Sequence, residues 1–263
     1  MSQQTWGARA FSPPYTAGGL SSLVSAPPWH YAGWMMNISF EYESALAQAL
    51  VPPTLGRATG VGCVHFADWQ ACSDRDELTD PVYAQYKETI LILQVQRPDG
   101  TLNSYCPGIW VDQDISLLRG LLQGWPKKFG STWLTRSLPI QHPAAAPLVK
   151  GSRLGASLCT KDRRLIEAKA VLTGEPGQAL GFLQNPVLGY VGLPDLSAAQ
   201  MAVRLKLVRA DIDNITTSGW HAATAQLTFL PHPGEEVSLF SAVSVRAASA
   251  GWLGLTIRGT LDV

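Results

Sequence analysis

Apolar and polar positions in this chain alternate in short runs. Tyr86 to Gln96 (YKETILILQVQ) has the clearest period of two and is rich in β-formers, so it predicts a strand. Asp99-Gly100 supplies a hairpin turn, and Leu102 to Val111 returns antiparallel. Trp34 to Tyr42 and Gly62 to Trp69 predict two earlier strands. Between them, Glu43 to Leu50 reads as a short helix stopped by Pro52-Pro53. The polar run Ser73 to Asp80 is a loop. Further strands are expected at roughly 153–160, 165–173, 201–212, 222–230 and 252–261, with a turn at Asp162-Arg163. A second helix is expected near Val237 to Ala248.

One stretch changes period. Ile115, Leu118, Leu121 and Leu122 recur at helical spacing between Asp112 and Gly124. Asp112 or Asp114 is placed to cap the N-terminus, Gly124 falls where the C-terminus belongs, and Pro126 prevents further regular helix. Trp125-Pro126-Lys127-Lys128 therefore sits just past a helix, on a turn into the next strand. Residues 1–32, with Pro13-Pro14, a Gly/Ser stretch and Pro27-Pro28, predict an irregular arm. No repeat or low-complexity linker divides the chain, so a single domain over residues 1–263 is expected.

Composition narrows the function. Eighteen prolines and 24 glycines argue against a helical bundle and suit a sheet-rich protein with many turns. Twenty basic and 20 acidic residues cancel, which leaves no basic excess for nucleic acid. MSQQTWGARAF lacks a secretory signal, and no apolar run is long enough to span a bilayer, so a soluble, cytoplasmic chain is expected. Cys63, Cys72, Cys106 and Cys159 are scattered and read as free, mostly buried thiols. His30, His65, His142, His221 and His232 show no metal-ligand spacing. No dinucleotide fingerprint, phosphate loop or serine-nucleophile elbow is present. No metal, nucleotide or organic cofactor is expected.

Chemistry centres on Lys127. Adjacent lysines usually mark a solvated surface, but this pair follows Gly-Trp-Pro and precedes Phe-Gly in a chain that is only 15% charged. A lysine must be neutral to attack a carbonyl, and its reference pKa of ~10.4 leaves almost none neutral at pH 7. Burial lowers such a pKa by roughly 3–5 units, and a neighbouring ammonium pushes the same way.

The segment IWVDQDISLLRGLLQGWPKKFG resembles the catalytic region of acetoacetate decarboxylases, in which a strand, an acidic turn and a short helix lead into Pro-Lys-Lys. Asn37 to Leu55, Tyr86-Lys87-Glu88-Thr89 and Gly219-Trp220 resemble other segments of that superfamily, so the likeness is nearly full-length. The resemblance implies a β-dominated α+β fold, with antiparallel strands curled into a cone or barrel and a few short helices, and it implies a homo-oligomer. It makes Lys127 the Schiff-base nucleophile and Glu88 an inward acid/base, against the plainer reading of Glu88 as an outward residue on an alternating strand. Lys128 is assigned an electrostatic or structural role. Gln123 is a candidate for orienting a substrate carboxylate or hydroxyl. Tyr83, Tyr86 and Trp125 are candidates for the pocket wall, with core packing as the alternative.

The pattern departs from true decarboxylases. Where they carry Gly-Arg-Glu, this chain has Arg119-Gly120-Leu121, so Arg119 is displaced and the carboxylate is gone. A second family glutamate falls at Ala67, beside Asp68, which faces the other side of its strand; the early substrate-binding arginine falls near Gly33. The surviving set suits aldol and dehydration chemistry, so the chain resembles the aldolase-dehydratase branch, which acts on pyruvate and aldehydes. Acetoacetate decarboxylation is the alternative. A β barrel that only binds a small apolar ligand is the non-enzymatic one.

Overall fold

The computed structural model describes residues 11–18, 21–73, 76–181, 183–197, 203–240 and 242–263. Eleven strands share one sheet: β1 (Trp29–Glu41), β2 (Arg57–Cys72), β3 (Gln85–Gln96), β4 (Leu102–Val111), β5 (Lys127–Phe129), β6 (Ser131–Leu134), β7 (Arg153–Thr160), β8 (Arg163–Pro176), β9 (Val187–Val191), β10 (Lys206–Phe229) and β11 (Ser244–Asp262). Three helices are short: α1 (Ser44–Ala47), α2 (Pro81–Ala84) and α3 (Asp114–Gln123).

β1 to β4 form an antiparallel meander. β9 joins β4 in parallel and β10 joins β9. β11 pairs with both β10 and β1, which closes a ring of seven strands. Beyond the ring, β10 also pairs with β8, and the sheet continues through β7 to β6. This extension packs against the outer face of the ring, so both faces of the meander are buried. On β1, Trp29, Tyr31 and Met35 enter the interior core. Trp34, Met36, Ile38 and Phe40 enter the outer core, with Leu154, Ala168 and Phe229. The first four residues of β1, Trp29 to Ala32, read as part of the arm because they directly follow Pro27-Pro28, although they alternate buried and exposed; only from Gly33 on is the strand buried on both faces. Residues 1–10 and 19–20 of that arm lie outside the described residues.

Other expectations are corrected in detail. The segments at 201–212 and 222–230 belong to one strand, β10, from Lys206; residues 201–202 lie outside the described residues. Register shifts near Asp213 and Ser218 bend β10, which lets it serve β9, β8 and β11 along its length. The helix expected over Val237 to Ala248 is only a 3-10 turn, Glu236–Phe240, with residue 241 outside the described residues. Val237 and Phe240, three residues apart, are both buried by that single turn. The small residues that follow pair with β1, and Ala248 and Ala250 pack in the core that holds Phe40. The strand expected after the Lys127-Lys128 turn is two short pieces, β5, which already holds both lysines, and β6, whereas the five-residue β9 was not anticipated.

The N-cap of α3 is Gln113 rather than an aspartate: Asp112 Oδ1 instead accepts the Lys87 backbone N–H at 2.7 Å, and Asp114 is already the first helical residue. It ends as expected at Gly124, whose φ of 82° is left-handed. A Cβ there would also lie 2.8 Å from the Tyr190 carbonyl carbon, so only glycine lets the helix end dock on β9. The helical period is correct, but the buried face is not the leucine stripe. Ser116, Arg119, Gly120 and Gln123 are buried with Ile115, while Leu121 and Leu122 are exposed.

Candidate active site

β5 runs parallel to β4, with Lys127 opposite Ile109, and alternation sends Lys127 and Lys128 to opposite faces. The Lys127 side chain enters the ring beneath α3. Glu88 comes from β3, on the interior face shared with Tyr86 and Ile90. Lys127 Nζ lies 2.7 Å from Glu88 Oε1, and the two side chains are 2% and 5% exposed. Nζ also donates to Ser116 Oγ at 2.9 Å and lies 5.4 Å from the Tyr86 ring centre. The second carboxylate oxygen of Glu88 accepts from Trp69 Nε1 at 2.9 Å, with the Tyr86 hydroxyl at 3.5 Å. Glu88 is thereby fixed from one side while its other oxygen faces the amine.

The pair opens onto a small cavity of about 30 Å³, lined among others by Tyr31, Trp69, Tyr86 and Trp125. Burial pushes the Tyr31 hydroxyl up to about 12, opposed by the nearby Arg119 guanidinium. Burial, reinforced by the Glu88 charge, raises Tyr86 well above the usual tyrosine range. Both phenols therefore hold their protons and act as neutral donors. The Cys106 thiol also lines the cavity, and burial holds it protonated.

Gln123 projects from the last turn of α3. It is 2% exposed and comes close to the Tyr31 hydroxyl, yet neither amide atom has a hydrogen-bond partner of good geometry. Arg119, one turn earlier, reaches Ser73 Oγ at 3.2 Å and Glu77 at 3.6 Å, with its guanidinium over the Trp29 ring. It supports Tyr31 from behind rather than lining the cavity.

Two expected members lie elsewhere. Lys128 bonds Glu235 and Glu236 at 3.0 and 3.1 Å on the outer face. Burial works against its charge, but those carboxylates outweigh it and raise its pKa above the usual lysine value. Tyr83, on α2, is 54% exposed and does not line the cavity. Asp68 faces outward and pairs with Arg136, whereas Ala67 stands beside Glu88 in the ladder and is fully buried. The residues missed from sequence are Tyr31, Trp69, Ser116 and Cys106. Only Ser116 carried a signal, since it lies three and four residues before Arg119 and Gly120 on one helix face.

The family described as acetoacetate decarboxylase (ADC) matches residues 12–262. Among solved structures, the chain is similar to the enduracididine biosynthesis enzyme MppR complexed with the condensation product of pyruvate and imidazole 4-carboxaldehyde. That match is 25% identical, covers 99% of this chain and 97% of the other, and has a TM-score of 0.88. MppR complexed with pyruvate is 26% identical, over 95% and 96% of the two chains, with a TM-score of 0.87. An acetoacetate decarboxylase-like enzyme from Sphingomonas wittichii RW1 shares the fold at 24% identity, over 96% and 98% of the chains, with a TM-score of 0.86. No curated protein sequence matches the chain. With nearly its whole length matched, the chain belongs to the acetoacetate decarboxylase family.

Proposed function

We propose that this protein is a lysine Schiff-base lyase that condenses pyruvate with an aldehyde and dehydrates the product. The observation that carries this reading is a buried lysine amine, 2.7 Å from a buried carboxylate, at the wall of a largely apolar cavity. Two buried opposite charges need only exchange one proton to become a neutral amine and a carboxylic acid, a step that removes both charges from a dry site. The amine is then the nucleophile and the acid is the proton donor. The bound ligands of the MppR structures support pyruvate as the keto acid.

The sequence of steps balances. Lys127 Nζ adds to the pyruvate carbonyl carbon, and Glu88 protonates the oxygen, which leaves as water. The resulting iminium acidifies the neighbouring methyl, and Glu88 takes its proton to give the enamine. The enamine carbon bonds to the aldehyde carbon, whose oxygen takes up a proton. A second proton then leaves the same former methyl carbon, and the new hydroxyl departs as water. One water hydrolyses the conjugated iminium, releasing an unsaturated 2-oxo acid and free Lys127. Overall, pyruvate and aldehyde give product and one water. Ser116 holds the amine in line. Trp69 and Tyr86 hold the carboxylate. Gln123, with two unpartnered polar atoms, and Tyr31 receive the pyruvate carboxylate, and Arg119 sets Tyr31 in place. Ala67 beside Glu88 leaves no second carboxylate to repel that of the substrate, which favours condensation over decarboxylation.

Borohydride reduction in the presence of pyruvate tests the reading. A reduced adduct on Lys127, located by mass spectrometry, is expected. No adduct there defeats the Schiff-base function and favours a simple binder. Rapid carbon dioxide release from acetoacetate, without product from pyruvate and aldehyde, assigns a decarboxylase instead.

A further inference from the structure

We infer that the aldehyde partner is uncharged, with a hydrocarbon chain or ring as its substituent. This rests on the proposed condensation and adds the chemical class of the second substrate.

The cavity is divided by chemistry. Its hydrogen-bonding side chains are Tyr31, Trp69, Tyr86, Glu88 and Lys127 on β1, β2, β3 and β5, with Trp125 just ahead of β5, whose indole N–H has no partner. Glu88 is engaged by Lys127, Trp69 and Tyr86, so no carboxylate there is left to hold a cationic substituent. Tyr31 on the wall, with the unpartnered Gln123 amide next to it just behind the lining, forms one neutral polar corner, enough for one carboxylate, which the keto acid fills. The rest of the wall is Ile90, Cys106, Ile109, Val187, Leu255 and Ile257. All six belong to the interior hydrophobic core and are at most 6% exposed. A carboxylate or ammonium on the aldehyde's far end would lose its water against these side chains and gain no counter-charge, with the single indole N–H of Trp125 as the one free donor on the wall, too little to repay the desolvation of a charge. A hydrocarbon substituent meets the opposite balance, because each methylene buried there adds to binding. The thiol of Cys106 is held protonated by burial, so it belongs to this wall without competing for the unsaturated product.

The test is a set of aldehydes with saturating pyruvate, followed through the conjugated product. From propanal to butanal to hexanal, kcat/KM is expected to rise about fourfold per methylene until the cavity fills. Succinic semialdehyde, close in length to hexanal but carrying a carboxylate, is expected at least about a hundredfold below it. Val187→Lys places a cation on the wall and is expected to move the hexanal-to-semialdehyde ratio at least tenfold toward the semialdehyde. That ratio does not depend on how much of the variant is folded. A semialdehyde rate equal to or above that of hexanal, or a ratio unmoved by Val187→Lys, overturns the inference. Borohydride trapping of pyruvate in the same preparations separates the failures. Trapping retained with the wrong preference sinks the substrate class alone, whereas trapping lost sinks the condensation as well.

Discussion

Gly120 sets the position of the Lys127 side chain. It lies inside α3, where replacing glycine by alanine ordinarily stabilises a helix by about 1 kcal/mol. Here a Cβ would lie 2.3 Å from Lys127 Cδ and 2.4 Å from Cγ. Carbon contacts are optimal at roughly 3.5–4.0 Å, so the stem must shift by more than about 1 Å. The contact is with the middle of the stem, and the side chain is 2% exposed, so it has no solvent to swing into and must move toward the cavity. That shift draws Nζ away from Ser116 and Glu88. A misplacement of about 1 Å at a reacting atom costs on the order of 10²-fold in rate. Separating a buried ion pair costs about 3–5 kcal/mol, more than the helix gains. Gly120→Ala is therefore expected to lower the melting temperature, against helix propensity, and to slow borohydride trapping of pyruvate on Lys127 about a hundredfold. Calorimetry and timed mass spectrometry of the adduct read the two effects independently. A variant that melts higher than wild type and traps pyruvate at the wild-type rate refutes the packing described for this lysine.

Three further outcomes follow from the same contacts. Glu88→Gln keeps the shape of the side chain but cannot take the amine's proton, so pyruvate trapping should fall about 10²- to 10⁴-fold in a timed assay, and an unchanged rate would remove Glu88 from the chemistry. Lys128→Met loses the pairs with Glu235 and Glu236 and the contact over the Trp110 ring, and it leaves the 10%-exposed Glu235 unpaired, so stability should fall by roughly 1–3 kcal/mol in a denaturant melt while trapping at Lys127 persists. His65 is fully buried, with Nδ1 2.7 Å from the Asn37 amide, and burial lowers its pKa from 6.5 to about 3. The unfolded chain binds this proton first as pH falls, so stability is complete above pH 6.5 and is lost progressively toward pH 3, by at most ~5 kcal/mol. In His65→Leu, that acid slope of the melting temperature should shrink.

The strands of the meander were legible because a period of two survives in Tyr86 to Gln96 and in the hairpin at Asp99-Gly100. β1 was read short, and Tyr31 was missed with it, because Pro27-Pro28 immediately before it marks irregular chain and only four alternating residues precede Gly33. β9, only five residues long, carries no periodic signal, and its place is fixed by partners far along the chain. The site shows the same limit more sharply. Lys127 and Glu88 were found through the family likeness, since a solvated Lys-Lys pair and an outward Glu have the same local pattern. Nothing in the spacing of Lys127 and Lys128 tells which one enters the ring; the parallel pairing of β5 with β4 decides it. α3 shows why local patterning misleads at such a site. Its leucines define the apolar face by sequence, yet Leu121 and Leu122 face outward, and Ser116, Gly120 and Gln123 are turned inward. Such a helix gives up apolar burial, worth roughly 1.5–3 kcal/mol for a leucine. In exchange, Ser116 bonds the lysine amine, Gly120 makes room for its stem, and Gln123 brings an unpaired amide to the polar corner. A helix whose polar face is buried is thus a structural mark of a site, one that the leucine pattern of its sequence conceals.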